Sequence, residues 1–304
     1  MNTLSVIIPC YNEEAVLDIT YHALSKELKK LNRDYEIIFV NDGSKDNTFS
    51  IIQKISETDT HVGGISLSRN FGKEGVLKAG LAESTGDLVV VMDADLQDPP
   101  SLLPEMIRLI EEEGYDQVGT YRLSRKTQGL FTGLFSITYY KVYNIFSDVK
   151  VPMNEREYRM MSRKVVNTLI QFSEQNRYIK SLWSWVGFKT THIGYEDIDR
   201  AAGKTKYNIP NKLKLAKHNI LAASDKPLRL ISKFTKYYGI LVFIYTIFSV
   251  VNNNFNSSIF LAWMVFIQFI ALSIIAEYVG RTYLESKHRP NYIISEKFES
   301  EMKR

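Results

Sequence analysis

The chain has 304 residues, 38 basic against 34 acidic side chains for a net charge of +4, and a mean hydropathy of −0.16. That modest basic excess reads as a membrane-surface feature rather than a nucleic-acid one, and the length suits one soluble domain of about 220 residues plus an apolar hairpin. A single cysteine, Cys10, excludes an intrachain disulfide and fits a reducing compartment, and no cleavable leader is expected before the first apolar run.

Residues 4–8 (LSVII) form an apolar strand stopped by Pro9. Residues 13–31 read as a helix with Val16, Ile19, Ala23, Leu24, Leu28 and Leu31 on its apolar face. A second strand, 35–40, ends in Asn41-Asp42-Gly43-Ser44, and Asp46 can cap the next helix, which buries Phe49, Ile52 and Ile55. A third strand, 62–67, is followed by a helix containing Val76, Leu77 and Leu81, and then by a Thr85-Gly86 turn. The run VVVMDADLQDPP (89–100) then drives a strand into Asp93, and a helix at 101–113 and a strand at 116–120 complete the series. This alternation predicts an α/β domain with a mainly parallel sheet and helices on both faces. No GxGxxG follows the first strand, which excludes a dinucleotide-binding fingerprint.

The polar residues at successive strand ends fall on one edge: Pro9, Tyr11 and Glu13, then Asp42, then Arg69 to Lys73, then Asp93, Asp95 and Gln97. Open α/β sheets bind ligands at that edge. An aromatic ring can stack on a base, a carboxylate can accept from a base N–H, and a lysine can neutralise phosphate. Acids two residues apart suit a hard divalent cation that stabilises a diphosphate leaving group.

Two uncharged apolar runs, 237–251 and 259–276, flank an Asn-rich loop. Each is near the length of about 20 residues that a span needs. Lys226, Arg229, Lys233 and Lys236 precede the first, and Arg281, Lys287, Arg289 and Lys297 follow the second. Positive-inside then predicts a multi-pass protein of the cell membrane with both chain ends cytoplasmic. The expected division is a catalytic domain at 1–225, a hairpin at 226–281 with spans at 234–251 and 259–279, and a cytoplasmic tail at 282–304. Residues 130–147 are rich in aromatic and apolar side chains, and 211–222 alternate Lys212, Lys214 and Lys217 with apolar residues; both read as segments lying on the bilayer surface.

VIIPCYNEE, VNDGSKDNT, SRNFGKEGVLKAGL and VVVMDADLQDPP, in this order, resemble the family-2 glycosyltransferases of the GT-A fold. NRYIKSLWSWVGF, RAAGKTKYN and a hairpin closing in EYVGRTYLESKHRPNYII resemble the bacterial polyprenyl-phosphate glycosyltransferases, which include the bactoprenol glucosyltransferases and, more distantly, the dolichyl-phosphate mannose synthases. The resemblance covers residues 3–295. It implies that Pro9, Tyr11, Glu13 and Asp42 hold the donor nucleoside, that Lys73 lies near the donor phosphates, and that Asp93 contacts the ribose or sugar. It further implies that Asp95 and Gln97 bind Mg²⁺ or Mn²⁺. Arg122 and Arg125 would meet the acceptor phosphate, with Arg200 and Lys206 on a segment covering the site. Where relatives carry a Gly-Asp-Phe-Arg type segment, this chain has Arg156-Glu157-Tyr158-Arg159, so the acid that orients or deprotonates the acceptor is Glu157.

The implied reaction is inverting transfer of a hexose, UDP-glucose first, to undecaprenyl phosphate for cell-envelope glycan decoration. UDP-N-acetylglucosamine, UDP-galactose and GDP-mannose are the alternative donors. An anionic acceptor needs little help from a base, so catalysis rests on gripping phosphates and neutralising the leaving group. A processive synthase is disfavoured, since residues 175–178 (QNRY) do not form QxxRW and two spans do not make a channel. Two spans likewise disfavour a flippase. A nucleotide-sugar sensor would not need the set Asp93, Asp95 and Gln97. The hairpin's apolar surface suits either lipid or a second copy of the chain.

Overall fold

Continuous apolar strands at the start of the chain require a sheet covered on both faces, and a computed structural model shows one. It describes residues 3–123, 143, 155–174, 178–196 and 257–301, together with positions 237, 238, 240, 243, 244, 247, 248 and 251. In chain order the first half comprises β1 (Thr3–Cys10), α1 (Leu17–Leu28), β2 (Asp34–Asn41), α2 (Thr48–Thr58), β3 (Val62–Leu67), α3 (Lys73–Glu83), β4 (Leu88–Val91) and α4 (Leu103–Glu111). Then come β5 (Gln117–Arg122), β6 (Glu155–Ser162), α5 (Arg163–Gln171), α6 (Ile179–Trp185), β7 (Thr190–Tyr195), α7 (Ser257–Ser286) and β8 (Ile294–Phe298).

The eight strands form one sheet in the order β7-β5-β6-β4-β1-β2-β3-β8. The pairs β1–β2, β1–β4, β2–β3 and β5–β7 are parallel, whereas β6 runs antiparallel to β4 and β5, and β8 antiparallel to β3. Alternation along β1 sends Leu4, Val6 and Ile8 to one core, shared with α1, α2 and α4, and Ile7 to the other, shared with α3, α5 and α6. Burying each such side chain contributes about 1.5–3 kcal/mol. α3 lies close on the sheet: a Cβ at Gly80 would sit 2.4 Å from the Ile7 side chain, so no larger residue fits there without moving the helix.

The expected α/β class and mainly parallel sheet are present, with three differences in detail. α1 starts at Leu17 rather than at 13, because Asn12 has φ 53° and the Glu13 carbonyl is taken by a turn that accepts from the Val16 and Leu17 amides. Ile19 is accordingly half exposed, and Thr20 takes its place on the buried face. The helix expected at 101–113 is a 3₁₀ turn, Pro100–Leu102, leading into α4.

The largest difference lies at the chain's end. Of residues 282–304, expected as a tail, the described part, 282–301, continues α7 to Ser286 and then returns to the sheet as β8. The Ser68 amide donates to the Ile293 carbonyl (2.9 Å), Ser300 Oγ to Glu36 Oε2 (2.9 Å), and the Glu301 amide to the Thr60 carbonyl (2.8 Å). Glu36 is buried and also accepts from Ser5 and Thr85, so the last residues close a polar knot beneath the sheet. The domain expected to stop at 225 thus takes in residues 294–301 as well.

α7 runs over 30 residues, past the expected span at 259–279; its stretch Trp263–Ser286 has mean hydropathy 1.7, long and apolar enough to cross a membrane. Described positions between 237 and 251 are helical, but most of the expected span at 234–251 and both surface segments, 130–147 and 211–222, lie outside the described residues, apart from the buried Tyr143.

Candidate active site

Parallel pairing brings the carboxyl ends of β1, β2, β3 and β4 to one edge, and the chain turns there in loops that hold one another. The turn after β4 is the centre. The Asp93 amide donates to Asp98 Oδ2 (3.2 Å) and the Gln97 amide to Asp95 Oδ1 (3.1 Å), with Leu96 at φ 55°. Thr20 of α1 donates its hydroxyl to the Ala94 carbonyl (2.5 Å), which fixes the turn from behind. Asp98 is fully buried, and its Oδ1 accepts from Arg156 Nε (3.2 Å), Arg156 Nη2 (3.1 Å) and the Tyr195 hydroxyl (2.8 Å). Burial pushes the Asp98 carboxyl above its ordinary range; Arg156 opposes this and the neighbouring Asp93 charge adds to it.

Lys73, the first residue of α3, reaches across to this turn. Its Nζ lies 2.7 Å from Asp93 Oδ1 and also pairs with Glu157, on β6. Arg156 Nη2 lies 3.8 Å from the other Asp93 oxygen. Burial works against the Asp93 charge, but Lys73 and then Arg156 outweigh it and hold the carboxyl below the usual range. Burial likewise works against the Lys73 ammonium, and Asp93 and Glu157 more than reverse it, raising its pKa. The result is an alternating array of carboxylates and cations, in part open to solvent.

The other expected residues fall around this array. Asp42 is buried and accepts from the Phe71 amide (2.7 Å) and the Gly72 amide (3.0 Å), so each oxygen already holds the loop that delivers Lys73. Burial raises its pKa against those two bonds and Arg69. Gly43 next to it has φ +62°, and a Cβ there would meet the Arg69 backbone at 2.6 Å, so this position demands glycine. β1 runs on to Cys10 rather than stopping at Pro9 as expected, so Pro9 lies half-buried within its last residues on the same edge, and the Glu13 amide is fixed by Thr48 Oγ1 (2.8 Å); Tyr11 lies half-buried between them in the chain. Arg122 and Gln97 were expected on opposite tasks, acceptor phosphate and metal, yet Arg122 Nη2 donates to Gln97 Oε1 at 3.0 Å. Arg125, Arg200 and Lys206 lie outside the described residues.

Asp93, Asp95 and Gln97 supply only oxygen donors, the chemistry a hard divalent cation prefers. No group of three or more His, Cys, Asp or Glu side chains converges among the described residues. A cation held at this turn would keep waters and take further ligands from substrate phosphates, as Mg²⁺ does.

Sequence reasoning missed Arg156, Asp98 and Tyr195, which tie the acid turn to β6 and β7. It also missed Lys180, which donates to the Glu155 carbonyl (2.6 Å) and adds positive potential near Asp93. A second charged cluster lies deeper on the same face of β6. Arg159 is buried, paired with Glu155, bonded to Gln117 Oε1 (2.8 Å) and 4.6 Å from the Trp183 ring centre, while His192 Nε2 lies 3.1 Å from Glu155.

Residues 5–170 match the model of glycosyl transferase family 2. The chain is 37% identical to a Bacillus subtilis (strain 168) protein described as an uncharacterized glycosyltransferase, YkcC, over 99% of this chain and 95% of that one. It is 35% identical to the bactoprenol glucosyl transferase of Shigella phage SfV, over 96% and 97% of the two chains. Its fold is similar to that of glucosyl-3-phosphoglycerate synthase from Mycobacterium tuberculosis, solved with Mn²⁺, UDP and phosphoglyceric acid, with a TM-score of 0.50, 19% identity and coverage of 73% and 77%. A family match over more than half the chain, relatives similar along almost its whole length and the strand-edge site agree: the chain belongs to glycosyl transferase family 2 and is a glycosyltransferase with the GT-A fold.

Proposed function

We propose that the enzyme moves a hexose from a nucleotide-diphosphate sugar, UDP-glucose in first place, to undecaprenyl phosphate, inverting the anomeric carbon. The observation that carries this is Lys73 bridging Asp93 and Glu157 at the carboxyl edge of the sheet. One cation there meets two carboxylates from different elements, where a diphosphate, a sugar and an attacking phosphate have to be brought together. The reading is supported by the relative named as a bactoprenol glucosyl transferase and by the fold neighbour that binds UDP with Mn²⁺.

In this reading Asp95 and Gln97 hold Mg²⁺ or Mn²⁺, which supplies charge neutralisation to the departing diphosphate. Tyr11, Pro9 and Glu13 border the nucleoside, and Asp42 acts mainly by ordering the Phe71–Gly72 backbone next to it. Lys73 neutralises donor phosphate, and Asp93 takes the ribose or sugar. Glu157 orients the acceptor, and Arg122, with Arg125, Arg200 and Lys206, grips its phosphate through paired hydrogen bonds. Asp98, Tyr195 and Arg156 keep the acid turn in place and touch no substrate. α7 and the helical positions within 237–251 form a two-span anchor with both chain ends cytoplasmic, and the lipid-linked hexose serves envelope glycan decoration.

The test is anomeric. With UDP-glucose, polyprenyl phosphate and Mg²⁺, the product carries a β-linked hexose by NMR coupling. An α-linked product would refute single displacement, and Asp95→Ala should abolish turnover while the protein stays folded.

A further inference from the structure

α7 ends beside a cavity of about 740 Å³ that the proposed reaction does not use. Its wall includes Lys78 of α3, Thr282, Glu285 and Ser286 of α7, and His288 and Arg289 of the turn leading to β8. Volumes of this size suit a bound small molecule or headgroup. The wall is built rather than casual. Lys78 Nζ donates to the Phe172 carbonyl and to Asn291 Oδ1, each at 2.7 Å, and Asn291 Nδ2 donates to the Glu174 carbonyl (2.9 Å). These bonds join α3, the end of α5 and the turn after α7 around one opening.

The chemistry of the wall favours an anion. Among the described lining residues Lys78, His288 and Arg289 are basic and Glu285 is acidic. A helix carboxyl end disfavours anions through its last carbonyls. Here the Leu284 and Glu285 carbonyls already accept from the Lys287 and His288 amides, which weakens that effect. The surroundings favour an amphiphile. Tyr283, Leu284 and Ile293 beside the cavity are exposed by 60%, 49% and 51%, and the apolar helix that leads to it is long enough to cross a bilayer. A cationic cavity with an apolar border at the end of such a helix matches a phosphate that carries a hydrocarbon chain.

We propose that this cavity binds the phosphate of a membrane lipid, one and a half turns along α3 from Lys73. The inference rests on the membrane reading of α7. Lipid bound there joins the anchor to the helix that carries Lys73, so it seats the catalytic edge at the membrane surface.

The test uses the full chain in neutral detergent, titrated calorimetrically with dioctanoyl phosphatidylglycerol, with a short polyprenyl phosphate, and with dioctanoylglycerol, which lacks phosphate. The wild type binds one or both phosphate lipids and not dioctanoylglycerol. Binding to phosphatidylglycerol identifies a bilayer lipid as the source, and binding to polyprenyl phosphate alone identifies the acceptor. Replacing two exposed residues together, His288→Gln with Arg289→Gln, weakens that binding roughly tenfold or more, since hydrogen bonds to a charged group are lost. Arg289→Lys keeps most of it. Equal affinity in wild type and the double variant, or equal binding of dioctanoylglycerol, overturns the site. Vesicle flotation of the wild type separates the two failures: a chain that does not float removes the membrane reading, whereas one that floats but shows no phosphate-dependent binding removes only the cavity.

Discussion

Two charged clusters sit on one strand and behave as opposites. Glu157 of β6, with Lys73 and Asp93, is partly open to solvent, its side chain 23% exposed; Glu155, two residues earlier on the same face, is sealed with Arg159. The open cluster keeps cations and carboxylates where a charged ligand can exchange with them. In the sealed one each charge is taken up by a neighbour: Arg159 by Glu155, Gln117 and the Trp183 ring, and Glu155 by Arg159 and His192. The difference teaches that a conspicuous ion pair is not by itself a site. Exposure at the sheet edge separates chemistry from architecture.

The comparison breaks most sharply at Glu155. Glu155→Ala leaves Arg159 buried without its carboxylate and should cost about 3–5 kcal/mol in denaturant unfolding, because the lost charge partner is not replaced by water. The double change Glu155→Leu with Arg159→Met should recover most of that loss. A stable Glu155→Ala protein would show that the cluster is not sealed. The open cluster should show the reverse pattern. Lys73→Met should lower kcat/KM at least ~100-fold, about 2.7 kcal/mol, with a stability change under about 1 kcal/mol. A variant that unfolds instead would place Lys73 with the structural charges.

The pH dependence sharpens the same contrast. Burial opposes ionisation of Glu155, but its hydrogen bond with His192 and the charges of Arg159 and Lys180 prevail and hold its pKa below the ordinary value of 4.5. The stability from this group is fully present above that ordinary value and is lost as pH falls through the lowered one. Asp98 works with the opposite sign: its raised pKa contributes stability at low pH that disappears as pH rises through it. Unfolding free energies measured from ~pH 5 down to ~pH 3 should therefore fall less steeply in Glu155→Gln than in the wild type. The smallest effect is expected at the chain's end. Ser300→Ala removes one bond to the buried Glu36 and should cost about 1 kcal/mol without changing turnover.

Much of the site was legible because it follows apolar strands. β1 to β4 are buried on both faces, so their runs and their polar ends stand out, and Asp42, Lys73, Asp93 and Asp95 come from those ends. β6 was not legible. EREYRMMS places charges on both faces of a strand, which is a pattern of solvent exposure until Asp98 and Asp93 on one side and Glu155 and Lys73 on the other are seen to pair with it. Arg156, where relatives carry glycine, was given no role from the sequence; it contacts both Asp93 and Asp98. β8 was hidden for a related reason: ISEKF is short and polar, and its place at the edge beside β3 depends on contacts more than 200 residues away, such as Ser295 Oγ to the Ser66 carbonyl at 3.0 Å.

Wild type and Glu157→Gln, with matched melting temperatures, are incubated with polyprenyl phosphate, Mg²⁺ and a panel of labelled nucleotide sugars, and organic extracts are identified by mass. The expected result is a lipid-linked hexose from UDP-glucose in the wild type and a loss of at least ~100-fold in the variant. No product from any donor with folded wild type, or equal product from both proteins, would contradict it.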